Sequence, residues 1–235
     1  SPIQHSISTT TALSPSNNNK TMNIKHIILS LSLLLATGSA QAETVRDFFI
    51  SEPGNVFELL TQGVRAAMIT MAEQGQKINS DNVHGGTAKI DSLSASYISV
   101  RCSDVKQVEL KMLTKGTSDT VIAVVETVQL PALDSRISFY TTDWKPLPLG
   151  KHMKGGMVKM TDFIRKGTPK AIADDVMRRV RFPLFLMTFG KNDGQLVVSQ
   201  QQKSFLSRED YNKIHPYLID TITYDIDKTK LKRSK

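Results

Sequence analysis

The densest grouping of residues able to do chemistry is the block that holds Asp134, Arg136, Tyr140, Asp143 and Trp144. Two aspartates near one another can divide acid and base duties in a hydrolase, provided their surroundings push the two pKa values apart. On that reading Asp134 and Asp143 are the catalytic candidates, with Arg136, Tyr140 and Trp144 as a binding surface beside them. The same residue types have plain structural uses. Asp134-Ser135 is ordinary turn chemistry, Arg136 can pair with a carboxylate, and Tyr140 and Trp144 fall on one face, where they would pack. A second grouping, Arg178, Arg179 and Arg181, could grip an anionic glycan or a lipid head group. It also stands at the end of a predicted helix, where the helix dipole favours basic residues.

Other chemistries lack their residues. Downstream of a leader-like N-terminus only His84, His152 and His215 remain, widely separated and without helix-spaced partners, so no metal site is expected. No Gly-x-Ser-x-Gly elbow, P-loop or dinucleotide fingerprint occurs, and no cofactor is expected. Cys102 is the only cysteine and shares a period-2 face with Ile98 and Val100, which predicts a buried, inert thiol and excludes an intramolecular disulfide.

The elements that must position these residues follow from composition and pattern. The chain has 235 residues, 40% of them hydrophobic, which suits a globular core. Residues 1–42 hold Lys20 and Lys25 and no acid, so 28 basic and 22 acidic residues remain beyond them, a net +6. The basic residues are spread along the chain, and without a focused patch nucleic acid is not an expected partner. From Met22 the chain reads as a signal peptide: Lys25, an apolar stretch Ile27 to Ala36, then Ala40-Gln41-Ala42 as a small-x-small cleavage site. No later segment approaches about 18 uninterrupted apolar residues. The organisation expected is an unstructured extension 1–21, a signal peptide 22–42 and a domain 43–235, with lobes at 43–150 and 160–227 and a mobile basic tail at 228–235.

Within that domain Thr44 and Asp47 open a short helix, and Asn55 with Glu58 repeats the capping signature ahead of a longer helix through Leu60, Val64, Ala67, Met68 and Met71. Gln76 to Ser94 reads as a loop. Four strands follow, Tyr97–Cys102, Val108–Met112, Val121–Val128 and Ile137–Tyr140, the third apolar on both faces and therefore central. Gly150 to Lys159 is the candidate lobe boundary. Beyond it come a helix with Thr168 as N-cap and Pro169 at its first position, a hairpin of Leu184–Phe189 and Leu196–Gln200 turning at Lys191 to Gly194, a helix opened by Ser207, and a strand Ile222–Tyr224. The fold class is α+β, an antiparallel β-meander covered by helices, with a smaller C-terminal helix, hairpin and helix unit.

The block Pro131 to Leu147, PALDSRISFYTTDWKPL, is similar to a family of secreted proteins from Bacteroidales-type bacteria, domain of unknown function 3256. Asp47-Phe48-Phe49 before Pro53, Leu59-Leu60 with Arg65, Gly85-Gly86, Tyr97, Glu109 to Leu113 and Pro216-Tyr217-Leu218 support the resemblance. It implies an exported protein and supplies no mechanism. Members often carry cysteines around the proline of the central block, where this chain has Gln129 and Leu133. Many have acidic residues after the arginine matched by Arg65, where this chain reads Ala66-Ala67-Met68-Ile69-Thr70. The sequence therefore reads as an exported, non-catalytic binding module, periplasmic or secreted, whose partner is an envelope protein or glycan. The alternative is a hydrolase of an envelope polymer using Asp134 and Asp143.

Overall fold

The computed structural model describes residues 43–234 apart from 77–78, 117–118, 130 and 191–193. The expected extension and signal peptide lie outside the described residues, as does the Lys191 to Asp193 part of the C-terminal hairpin turn.

Helix α1, Val45–Ser51, begins as its sequence demands: the Asp47 carboxylate accepts from the Thr44 backbone N–H at 2.7 Å, and Val45, Phe48 and Phe49 are buried. The second capping signature does not operate. Helix α2 spans Gln62–Glu73, and its N-cap is Thr61, whose hydroxyl accepts from Val64 N at 3.3 Å. Asn55 to Leu60 instead form a folded approach segment whose Val56, Phe57 and Leu60 are buried. The buried stripe of α2 is Arg65, Met68 and Ile69, while Ala67 is exposed. A charged residue thus sits where helical periodicity would place a hydrophobe.

Seven antiparallel strands follow in a meander whose spatial order is the sequence order: β1 Ser80–Asp81, β2 Thr87–Leu93, β3 Tyr97–Arg101, β4 Lys106–Lys115, β5 Asp119–Gln129, β6 Leu133–Tyr140 and β7 Pro146–Leu147. The first two occupy the segment expected to be a loop. Its Asn and Gly residues make a hairpin turn: Asn82 Oδ1 accepts from His84 N at 2.9 Å and Gly86 N at 3.0 Å, while its Nδ2 donates to Cys102 O at 3.0 Å.

Strand periodicity sorts the sheet's side chains into two cores. Ile98, Val100, Cys102, Val108, Leu110, Ile122 and Val124 face α1 and α2. Tyr97, Leu113, Val121, Ala123, Val125, Ile137 and Phe139 face the other way, into a cluster shared with a second sheet. That sheet runs β11-β10-β9-β8, with β8 Phe185–Thr188, β9 Gln195–Gln200, β10 Thr221–Asp227 and β11 Lys230–Arg233, all antiparallel. β5 is apolar on both faces because both faces are covered. In chain order, α3 Leu149–His152 and α4 Lys170–Arg179 come between the two sheets, and α5 Gln202–Phe205 and α6 Arg208–Ile214 connect β9 to β10. The N-cap of α4 is Pro169, one residue later than expected. The segment Gly150 to Lys159 buries Met153 and Val158 in the cluster both sheets share.

β8 is an edge strand, and its outward N–H groups would otherwise lack partners. Phe185 N donates to Asp134 Oδ1 at 3.2 Å, Met187 N to Ser135 Oγ at 3.0 Å and Phe189 N to Glu109 Oε2 at 2.8 Å. The i, i+2, i+4 spacing is that of one strand edge, so side chains of the large sheet complete the small one.

The basic run expected to be a mobile tail adds the edge strand β11, with Leu231 fully buried. Deleting residues 229–235 is expected to cost about 2–3 kcal/mol, the burial of one leucine side chain with its ladder. Thermal unfolding checks this, since an unchanged melting temperature is the result a free tail would give.

Candidate functional site

The structure does not assemble the expected acid and base. Asp134 lies at the start of β6, where it serves the Phe185 N–H. Asp143 is exposed in the turn beyond the other end of the strand. Six strand steps separate Asp134 from Tyr140, roughly 20 Å at about 3.3 Å per residue, whereas paired carboxylates of glycoside hydrolases stand about 5–9.5 Å apart. Arg136 pairs across the ladder with Glu126 at 2.8 Å, and that hydrogen bond raises the guanidinium pKa. Glu126 in turn meets Lys106 at 3.2 Å, and Lys106 meets Glu58 at 2.7 Å. Arg136 is thus one end of a chain of ion pairs across the large sheet.

Tyr140 and Trp144 do come together, with ring centroids 5.4 Å apart, and the Trp144 indole N–H donates to Ser51 Oγ at 3.4 Å. Trp144 has φ +59, a left-handed conformation that non-glycine residues reach at a cost. Its N–H donates to Thr141 O at 3.0 Å and closes the β6–β7 turn. Both rings pack against the helical core, so the pair ties the turn to α1.

The arginine cluster is largely neutralised. Asp175 accepts from Arg178 at 3.0 Å and Arg179 at 2.9 Å, and Arg179 reaches Asp210 of α6 at 2.8 Å. The Arg179 hydrogen bond is the main reason the Asp175 carboxyl lies below its usual range. Only Arg181 has no acidic partner among the described residues. The three histidines stay apart: His84 in the β1–β2 turn, His152 against Thr229 O at 2.8 Å, His215 beside Tyr211. Among the described residues no group of three or more His, Cys, Asp or Glu could hold a metal ion. The Cys102 thiol is buried, and desolvation pushes its pKa up to about 12, far from a reactive thiolate.

A wide concavity lies elsewhere, where the connection between β9 and β10 folds into α5 and α6. The cleft measures about 840 Å³. Two anchors shape its α5 side: Gln201 N donates to Leu184 O at 2.9 Å, and fully buried Gln202 donates through Nε2 to Phe182 O at 3.3 Å. Ser207 caps α6 by accepting from Asp210 N at 3.1 Å. One turn of α6 then sets Tyr211 and His215 together, ring centroids 5.3 Å apart. Lys203 and Arg208 line the same cleft, both exposed and without an acidic partner among the described residues. On the sheet side Asp220 Oδ1 accepts weakly from Gln200 Nε2 at 3.5 Å. Of these residues the sequence singles out only Ser207, as a helix start, and His215, as an isolated histidine without a metal-binding partner. The Tyr211 and His215 pair has helical i, i+4 spacing, a signal the sequence could have offered; its partners come from β9, α5 and β10 and meet only in the fold.

The comparison with curated proteins gave no match. Among solved structures, a domain of an uncharacterized protein from Porphyromonas gingivalis W83 aligns with a TM-score of 0.70 at 23% identity, covering 81% of this chain and 98% of that one. At that identity the likeness shows a shared α+β fold. A family model described as "Protein of unknown function (DUF3256)" matches residues 37–231, the same family that the block Pro131 to Leu147 resembles, and on that match the chain belongs to the DUF3256 family.

Proposed function

We propose that the chain is a non-catalytic binding module, exported by its leader to the periplasm or beyond, that holds an envelope component in the cleft between α5, α6 and the β9–β10 sheet. The observation that carries this reading is the convergence of two unneutralised cations, Lys203 and Arg208, with the Tyr211 and His215 ring pair in one concavity of about 840 Å³. Ligand sites are concave and built from a few convergent polar groups. The separation of Asp134 from Asp143 leaves the hydrolase alternative without its acid and base.

Site-specific photo-crosslinking in the native cell tests the seat. A photoreactive residue in place of Asn212, inside the cleft, is expected to yield a discrete adduct with an envelope component. The same residue in place of Lys89, on the large sheet, is expected to yield none. Equal labelling from both positions, or none from Asn212, would overturn the proposal.

A further inference from the structure

We infer that the ligand of this cleft is a carboxylate-bearing glycan, a hydroxyl-rich chain with sparse negative charge; the inference rests on the cleft being the binding seat. Three features of the lining point to that chemistry.

The first is hydrogen-bonding capacity. Gln201 and Asn212 present amides and Ser199, Ser204 and Thr221 present hydroxyls, with Leu206 as an aliphatic contribution, while the Gln200 amide beneath them is held by Gln202 N and Asp220. An apolar ligand would bury these groups without partners, at about 1–3 kcal/mol for each group left unpaired. A polyhydroxylated ligand satisfies them, because every sugar hydroxyl both donates and accepts.

The second is charge. Lys203 on α5 and Arg208 at the start of α6 flank the Ser204 to Ser207 corner, and Asp220 stands on the sheet side, so the Lys and Arg of the lining outnumber its one acid by one. Arg208 offers a planar fork that matches a carboxylate, and Lys203 offers a point charge. One excess positive charge suits a chain with isolated carboxylates. It is too little for a densely charged phosphate backbone, which needs a basic groove tracking it nucleotide by nucleotide. The concavity also turns away a flat bilayer surface.

The third is the ring pair. The Tyr211 and His215 rings, held 5.3 Å apart at an interplanar angle of 42°, give an apolar facet within the polar lining. The C–H face of a pyranose ring is apolar while its rim is polar, and it fits such a facet. The volume lies toward the upper end of the roughly 300–1,000 Å³ that seats a small ligand, which leaves room for several sugar units of a passing chain.

Affinity electrophoresis of the purified protein in gels containing polygalacturonate, alginate or hyaluronan tests the inference, each polymer paired with its carboxyl-reduced neutral form. Retardation by at least one native polymer is expected, with affinity falling roughly tenfold or more on carboxyl reduction, the scale of one lost charge-assisted hydrogen bond. The double variant K203Q/R208Q is expected to lose the same factor, and Tyr211→Ala to weaken binding of both forms. Lys89→Gln, which removes a cation on the large sheet outside the cleft, is expected to bind like the wild type. All four positions are exposed or half-buried, so thermal unfolding of the variants should match the wild type. Equal binding of native and reduced polymers, equal binding by the double variant, absence of binding to all three polymers, or tighter binding to single-stranded poly(dT) would each overturn the inference. An Asn212 crosslink obtained alongside any of those results keeps the seat and rejects the ligand class; loss of both rejects the seat as well.

Discussion

Replacing Arg65 with alanine is expected to lower the unfolding free energy by about 3–5 kcal/mol, because it leaves a buried charge without its partner. Arg65 is only 2% exposed. Its guanidinium donates to Leu60 O at 2.6 Å, to Ile50 O at 3.2 Å and to Glu52 O, and stands 3.7 Å from the Glu52 carboxylate. Glu52, likewise 2% exposed, accepts from Gly54 N at 2.8 Å, Asn55 N at 2.7 Å, Val56 N at 2.9 Å and Phe57 N at 3.3 Å. The segment between α1 and α2 therefore has little regular structure of its own. One carboxylate gathers its N–H groups and one guanidinium gathers its carbonyls. Burial lowers the Arg65 pKa and Glu52 opposes that shift, yet arginine keeps its proton throughout the accessible range.

Arg65→Lys should recover part of the loss, since an ammonium is a point charge and cannot span three carbonyls as the planar fork does. A double-mutant cycle with Glu52→Gln isolates the pair. The double variant E52Q/R65M should be less destabilised than the two single losses summed, because neither partner is then left as an orphan charge. Urea unfolding midpoints at constant m-value measure all of these. A loss below about 1 kcal/mol for Arg65→Ala would mean that water or rearrangement replaces the guanidinium.

The meander was legible in the sequence because strand periodicity is local. Val108 and Leu110 alternate with Glu109 and Lys111, and the apolar run of β5 announced a strand covered on both sides. What covers each face is a long-range fact, and there the same pattern misleads. Glu109 and Lys111 alternate as a solvent face should, yet they are 5% and 4% exposed, Glu109 because the end of β8 lies over it. Arg65 was hidden for a related reason: a charge in a helical stripe reads as surface unless its partners are known, and those partners come from Ile50, Glu52 and Leu60. β2 was obscured by the Asn and Gly of its own turn, and β11 by a high charge density around its one inward residue, Leu231. The cleft residues carry no motif because binding by hydroxyls, amides and two cations needs convergence and no fixed spacing.

Glu109 carries the second large effect. Its carboxyl accepts from Phe189 N at 2.8 Å and Thr188 Oγ1 at 2.9 Å across the inter-sheet layer, and also from the Tyr97 hydroxyl. Glu109→Ala removes these acceptors and opens a void, an expected loss of about 2–4 kcal/mol. The break is local to the edge of β8, so amide exchange of Phe189, and next of Met187 and Phe185, should accelerate more than exchange in β5. Glu109→Gln separates the charge from the contact. Desolvation raises the folded-state pKa of Glu109 above the ordinary carboxyl value, outweighing the hydrogen bonds that lower it. At acid pH both folded and unfolded chains hold the proton, and the group's contribution to stability is complete. As pH rises through the unfolded value the unfolded chain releases its proton first. Stability then falls by about 1.4 kcal/mol per pH unit until the folded carboxyl also ionises. The glutamine variant has no such proton to lose, so its stability relative to the wild type should improve from about pH 4 toward neutrality. Denaturation curves across that range decide the matter: a difference between the two proteins that stays flat, or that shifts in favour of the wild type as pH rises, would show that the buried carboxylate is fully compensated by its three donors.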